Sequence, residues 1–192
     1  MVQELKRAND NNGDNQQVSL KELNKKAKDS QIKVIKPALT KPTDAKVVDV
    51  DIRVDMDDYK TNANDDTALY HPGSVIVTTE FSHPETGEVI TSKDWFGGFR
   101  AYLQLDETLS PIVDDNGVEE IQRYYPGTNK SGLRRFVNAV WNDMTEEEQE
   151  AHNDWIDFFF NYLPGKEVKI KSEFNTYEGQ TTIKQAIVGL KK

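Results

Sequence analysis

Apolar residues recur at helical spacing towards the end of the chain and predict helices between residues 131 and 163. Residues three and four positions apart lie on one face of a helix, and that face is expected to be buried. A second helix is expected to begin at Thr145, because Thr145 and Glu148 have the spacing of a capping box. It is expected to end at Pro164 and Gly165. The buried face of the first helix is predicted to consist of Leu133, Phe136, Val137, Val140, Trp141 and Met144.

Alternation of apolar and polar residues predicts five strands. They cover 47–56, 74–82, 88–96, 166–174 and 181–190, and the turn at 83–87 makes an antiparallel hairpin of the second and third. The inward face of the last strand is ambiguous. Inward positions are predicted for Val48, Val50, Ile52, Val54 and Met56 in the first strand and for Val168, Ile170, Ser172 and Phe174 in the fourth.

These elements predict a mainly β domain with helices, of the α+β class, over residues 47–192. Residues 1–46 are polar and basic, and Pro37 and Pro42 interrupt them, so we expect a mobile N-terminal arm. A short helix from Ser19 to Asp29 is the one element expected within it. The segment 111–127 has little periodicity and is expected to be a long connection.

Composition excludes several classes of protein. The chain has 192 residues and no cysteine, so disulfides and thiolate chemistry are absent. It has no apolar run near the roughly 20 residues that a membrane-spanning helix needs, and its start lacks the apolar core of a signal peptide. We therefore expect a cytoplasmic protein without a membrane partner.

Charge is segregated along the chain, although the net charge is −9. Residues 1–46 hold ten basic against six acidic residues, residues 47–165 hold eight against twenty-four, and residues 166–192 hold six against three. The three segments therefore carry +4, −16 and +3. A negative total lowers the expectation of nucleic-acid binding, but it leaves room for a locally positive surface.

Catalytic and metal-binding motifs are missing, so neither an enzyme nor a cofactor is expected. His71, His83 and His152 do not form a ligand pair, and the acidic segment 57–67 lacks the glycine and glutamate of an EF-hand loop. One weak pattern remains: an aspartate followed by an acid-x-lysine strand, as in some Mg²⁺-dependent nucleases. It would be formed by Asp157, Glu167 and Lys169.

One stretch combines aromatic residues, two glycines and an arginine. It contains Trp95, Phe96, Phe99, Arg100 and Tyr102. Aromatic rings beside a cation are suited to base stacking and phosphate contact. Core aromatics around a bend in a strand would give the same pattern. Arg134 and Arg135 lie off the apolar face of the first helix, near solvent or a ligand.

Several short motifs in the last third resemble those of small phage replication and recombination proteins. They are Asn129-Lys130-Ser131-Gly132-Leu133-Arg134-Arg135-Phe136, Leu163-Pro164-Gly165-Lys166-Glu167-Val168-Lys169-Ile170, Tyr177-Glu178-Gly179-Gln180 and Ile187-Val188-Gly189-Leu190. The resemblance implies an OB-like five-stranded barrel with a helical insertion that binds single-stranded DNA. It also implies contacts on the second and third strands, and from the last hairpin it adds Lys169, Lys171, Phe174 and Tyr177 as contact residues.

Three functions follow as alternatives. The first is sequence-independent single-stranded DNA binding in replication or recombination, with proteins of those processes as further partners and homo-oligomers as a further option. The second is a protein-binding or virion-associated phage module. Trp95, Phe99, Arg100 and Lys171 should share one open face in the first and be buried separately in the second. The third is the nuclease.

Overall fold

A single antiparallel sheet dominates the computed structural model, which describes residues 36–62, 65–128, 131–177 and 180–192. Seven strands of this part of the chain belong to it, in the order β5-β4-β3-β1-β6-β7, and β2 also pairs with β3. The mainly β architecture with a few helices is confirmed. The strands are β1 (Thr43–Val54), β2 (Lys60–Asn62), β3 (Asp65–Ser82), β4 (Val89–Leu103), β5 (Ile121–Tyr125), β6 (Glu167–Tyr177) and β7 (Gln180–Leu190).

The sheet is not closed into a barrel, so the structure does not confirm the predicted OB-like barrel. It nevertheless curls until β7 approaches β4, where the Asp94 side chain joins the two strands. Asp94 accepts the backbone N–H of Gln185 at 3.0 Å and the Ser92 hydroxyl at 2.5 Å, and it pairs with Lys36 Nζ at 2.7 Å. The buried carboxylate thus pairs with the backbone N–H of Gln185, which would otherwise need a partner in a neighbouring strand.

A bulge in β1 changes which of its residues face the core. The pairing with β3 shifts between Val47 and Asp49, which leaves Val48 as the extra residue. Val47 is therefore buried and Val48 is 44% exposed. The inward prediction was wrong for Val48 and for Met56, which lies beyond the strand and is exposed. Val50 is buried, and Ile52 and Val54 pack against the core as predicted.

The second and third predicted strands pair as expected but are longer than predicted. β4 continues to Leu103 through a bulge, because Ser74 pairs with Gly97 and Gly73 with Phe99, which makes Gly98 the extra residue. Gly98 has a φ of 107°, and a Cβ there would lie 2.9 Å from Cβ of Ser131. Glycine thus permits both the backbone conformation and the close approach of the chain before the first helix.

The helical segment covers one side of the curled sheet. It comprises α1 (Gly132–Trp141), α2 (Glu146–Ala151) and α3 (Trp155–Asp157), and a π-helical turn (Phe158–Tyr162) follows α3. The prediction of one continuous second helix from Thr145 to Pro164 was therefore wrong, because α2 ends at Ala151 and the Asp154 side chain caps a new helix. The predicted apolar face of α1 is buried except for Trp141, which is partly buried against the core. Phe96 of β4 packs against Phe136 of α1, and Phe99 packs against Phe159 of the π-helical turn. The core therefore lies between the sheet and these helices.

The capping box at the start of α2 is confirmed. Thr145 Oγ1 accepts the backbone N–H of Glu148, and the Glu148 carboxylate accepts the backbone N–H of Thr145 at 3.0 Å. This bond and the nearby Lys166 ammonium lower the pKa of Glu148 to about 2. Gly165 ends the segment with a φ of 85°, as the Pro164-Gly165 pair predicts.

The last hairpin differs from its prediction at two positions. Val168, Ile170 and Ser172 are buried, but Phe174 is 56% exposed. β1 begins at Thr43, which pairs with Ile170 of β6, so the part of β6 that contains Phe174 extends past β1. In β7 a bulge near Val188 exposes that side chain and leaves Ile187 buried, which resolves the ambiguous inward face.

Residues 36–46, which we predicted to belong to the arm, are part of the sheet domain. Lys36 to Lys192 form one compact unit, Leu39 is 2% exposed, and β1 begins at Thr43. The helix predicted from Ser19 to Asp29 and the rest of the arm lie outside the described residues. No helix in the described part of the chain has both the length and the apolar character needed to cross a bilayer.

Candidate nucleic-acid interface

The strand register aligns side chains from β1 to β5 in five rows on the face of the sheet that points away from the core, here called the outer face. Paired residues of neighbouring strands project to the same side of a sheet. Successive rows are Lys60, Tyr70, Tyr102 and Arg123; Pro72, Arg100 and Tyr125; Arg53, Ser74 and Gly97; Asp51, Ile76 and Trp95; and Asp49, Thr78 and Lys93.

The outer face is positively charged, although it belongs to the acidic part of the chain. Within the five rows, five side chains are basic and two are acidic. Residues 47–165 as a whole hold eight basic and twenty-four acidic residues. The fold thus gathers most of the cations of this segment on one side of the sheet. The five are Arg53, Lys60, Lys93, Arg100 and Arg123.

The arginines of this region lie over aromatic rings, with their guanidinium carbons within cation–π distance of the ring centres. Tyr70 and Tyr102, which lie under two of these arginines, are 8% and 4% exposed. The distances are 4.5 Å for Arg100 over Tyr70, 4.8 Å for Arg123 over Tyr102, 5.1 Å for Arg53 over Trp95, and 5.4 Å for Arg134 over both Tyr125 and Trp155.

Trp95 is the aromatic residue of this face that remains open to solvent. It is 51% exposed, whereas Ile76 beside it in the same row is 1% exposed. Trp95 and Arg53 border a depression of about 400 Å³ that is also lined by Lys60 and by the acidic residues Asp55 and Asp58. A ring with a free face next to two cations is suited to stacking a base while its phosphate is contacted.

The two cations beside Trp95 have loose ion pairs. Arg53 Nε lies 3.5 Å from Asp51 Oδ2, and Lys60 Nζ lies 3.4 Å from Asp58 Oδ2. All four side chains are between 45% and 60% exposed. Exposed pairs of this kind contribute roughly 0–1 kcal/mol, so a phosphate group can replace the carboxylates at little cost.

Four residues proposed from the sequence belong to this region. Trp95, Arg100 and Tyr102 are on the outer face, where Arg100 also donates to the Tyr102 hydroxyl at 3.1 Å. Arg134 reaches the edge of the outer face through the ring of Tyr125. Among the described residues its buried Nε and Nη1 atoms have no hydrogen-bond partner, and its guanidinium carbon lies 5.4 Å from the ring centres of both Tyr125 and Trp155.

The other candidates lie elsewhere. Phe96 and Phe99 are core residues with 1% and 0% exposure. Arg135 of α1 contacts Glu173 at 3.4 Å, and Lys169 pairs with Asp44. Lys171 and Phe174 are exposed on the part of β6 that extends past the first residue of β1 and has no β1 neighbour. The backbone of Tyr177 ends β6, and its side chain lies outside the described part of the structure.

The residues of the nuclease pattern have separate partners. Asp157 bonds to His152 and Asn161, Glu167 to Lys191, and Lys169 to Asp44. In the described ranges there is no group of three histidine or acidic residues that could hold a metal ion, either here or in the segment after β1.

Sequence reasoning missed Arg53, Lys60, Lys93 and Arg123 as members of the interface. A signal existed for Arg53, which occupies an outward position in the alternating pattern of the first strand. Lys60 and Arg123 lie in segments that were interpreted as loops, and only the strand pairing brings them to either side of the two tyrosines.

Comparisons with protein-family models, curated proteins and solved structures found no match to this chain.

Proposed function

We propose that this protein binds single-stranded DNA through the outer face without sequence preference. The observation that carries the proposal is the strand register, which places five cations on the same face as an exposed tryptophan in an otherwise acidic segment. Aromatic stacking on Trp95 would hold a base, and the cations would contact the backbone phosphates. Binding of this kind tolerates any sequence because every base has a π-face.

The strand order supports an OB-like arrangement as part of the proposal. β1 pairs with both β3 and β6, the helices lie between β5 and β6, and β7 approaches β4. An OB fold is a partly open barrel that binds oligonucleotides on its second and third strands. In this arrangement those strands correspond to β3 and β4, and each of the five rows of the outer face includes a residue from both of them. A role in phage replication or recombination is the context that the sequence resemblance adds.

Fluorescence and anisotropy titrations test the proposal. Trp95 is exposed, whereas Trp141 and Trp155 are partly buried and lie in contact, with ring centres 5.5 Å apart. Poly-dT should therefore quench the fluorescence of Trp95, and the quenching should weaken as salt rises. Trp95→Phe should lose most of the quenching but keep binding of a labelled oligonucleotide, since a phenyl ring still stacks.

A protein-binding module is the second candidate. The burial of Phe99 favours it, because the four residues chosen from the sequence do not all share one open face. The net charge of −9 points in the same direction. If no binding of poly-dT occurs at low salt, the DNA proposal fails and this alternative takes its place.

A further inference from the structure

A buried histidine lies beneath the outer face, with both ring nitrogens directed at oxygen acceptors. His71 is 0% exposed. Its Nδ1 lies 2.9 Å from the carbonyl oxygen of Asp58, and its Nε2 lies 2.6 Å from Oε2 of Glu119. A carbonyl and a carboxylate only accept hydrogen bonds, so both nitrogens must donate. This geometry fits an imidazolium ion rather than a neutral ring.

The groups around the ring favour that charge state. Burial lowers the pKa of His71, but the bonds to Glu119 and to the Asp58 carbonyl outweigh burial and raise the pKa above its ordinary value of 6.5. The Tyr59 hydroxyl donates to the other oxygen of Glu119, and this bond lowers the pKa of Glu119. Glu119 and Tyr59 are the titratable side chains that face the ring in the described residues, and Asp55 and Asp58 approach it through their backbone.

The three side chains connect the segments that carry one row of the outer face. His71 follows Tyr70 on β3, Tyr59 precedes Lys60 on β2, and Glu119 lies four residues before Arg123 on β5. Lys60 and Arg123 are the two ends of the row that contains Tyr70 and Tyr102. The cluster of His71, Glu119 and Tyr59 therefore ties both cationic ends of that row to the centre of the sheet.

We infer that His71 is a positioning residue whose imidazolium form holds both ends of this row in place, so that affinity for single-stranded DNA falls as His71 loses its proton. This inference rests on the proposed function. A histidine whose pKa is raised by its folded partners stabilises their arrangement fully below its ordinary value of 6.5, and that contribution is lost as pH rises through the raised pKa. Neutral His71 can no longer donate to Glu119 while it also donates to Asp58.

The test measures the affinity of a labelled dT oligonucleotide from about pH 6 to about pH 9 at constant ionic strength, the range in which histidines titrate. We expect the affinity to fall at least about threefold over this range. If only the protonated form of His71 allowed binding, the steepest possible fall would be about tenfold per pH unit. His71→Gln and Glu119→Gln should each bind more weakly at low pH and lose this dependence. The matched control His83→Gln, in the turn between β3 and β4, should keep it.

An NMR titration of the imidazole signals distinguishes failure of this inference from failure of the proposed function. If the protein binds DNA independently of pH while His71 titrates in this range, or if His71 is already neutral near pH 6, the inference is overturned. Retained pH dependence in a folded Glu119→Gln variant overturns it as well. Absence of DNA binding at every pH instead overturns the proposed function, even where the titration finds His71 charged. Thermal melting at each pH establishes that the variants are folded.

Discussion

Replacement of Trp95 by alanine is the most direct perturbation of the outer face. The indole is 51% exposed, so about half of its surface is available to a base. A tryptophan buries up to about 250 Å², which leaves roughly 100 Å² for stacking. At about 25 cal/mol per Å² this surface contributes about 2.5 kcal/mol, within the range of roughly 1–3 kcal/mol found per stacked base. We therefore expect Trp95→Ala to raise Kd by about sixtyfold, which corresponds to about 2.5 kcal/mol.

Fluorescence anisotropy of a labelled dT oligonucleotide measures this change without relying on tryptophan emission. Phe160→Ala is the matched control, because Phe160 is also an exposed aromatic residue, at 45%, but lies in the π-helical turn. It should leave Kd within about twofold, since no base is expected to stack there. An unchanged Kd in Trp95→Ala, or equal losses in both variants, would refute stacking on the outer face.

Three further predictions concern charge, backbone and acid stability. Arg53→Gln and Lys93→Gln should each reduce the slope of log affinity against log salt concentration by about 0.7. Binding titrations at several salt concentrations measure this slope. Unchanged slopes would mean that neither side chain contacts a phosphate. Gly98→Ala should lower the free energy of unfolding by about 2 kcal/mol, because residue 98 has a positive φ and lies close to Ser131. The melting temperature should fall by about 4–8 °C. An unchanged melting temperature would contradict the bulge at Gly98. The pKa of Glu148 is about 2, below its ordinary value of 4.5. The stabilisation from its bonds is therefore fully present above pH 4.5 and is lost as the pH falls towards about 2. In melting curves, acid should destabilise Glu148→Gln less than the parent protein.

Three features of the helical segment could be predicted from the sequence because their signals are local, although the division of the second helix was not among them. The buried face of α1 follows from spacing along one helix, and Thr145 and Glu148 bond to each other within a single turn. The stop at Gly165 depends on the conformation of one residue. None of these features requires a contact with a distant part of the chain.

The five predicted strands exist, but β2 and β5 were not predicted, and the faces of the strands were predicted less well than their positions. A bulge at Val48 and another at Gly98 each insert one residue, and one extra residue reverses the side to which all later side chains point. For this reason Phe96 and Phe99 both enter the core, although they are three residues apart. Position along an isolated strand does not reveal such an insertion.

By itself, the sequence determined the first helix, the start of the second and the positions of the main strands, because hydrophobic periodicity and capping act over a few residues. Only the tertiary structure decided which charges share a surface. Lys60, Arg100 and Arg123 come from three strands, and hydrogen-bonded register alone sets them beside Tyr70 and Tyr102. The same long-range pairing brings Glu119 to His71, 48 positions away in the chain. Local patterns do not encode register between distant strands, so the candidate interface emerged only when the sheet was assembled.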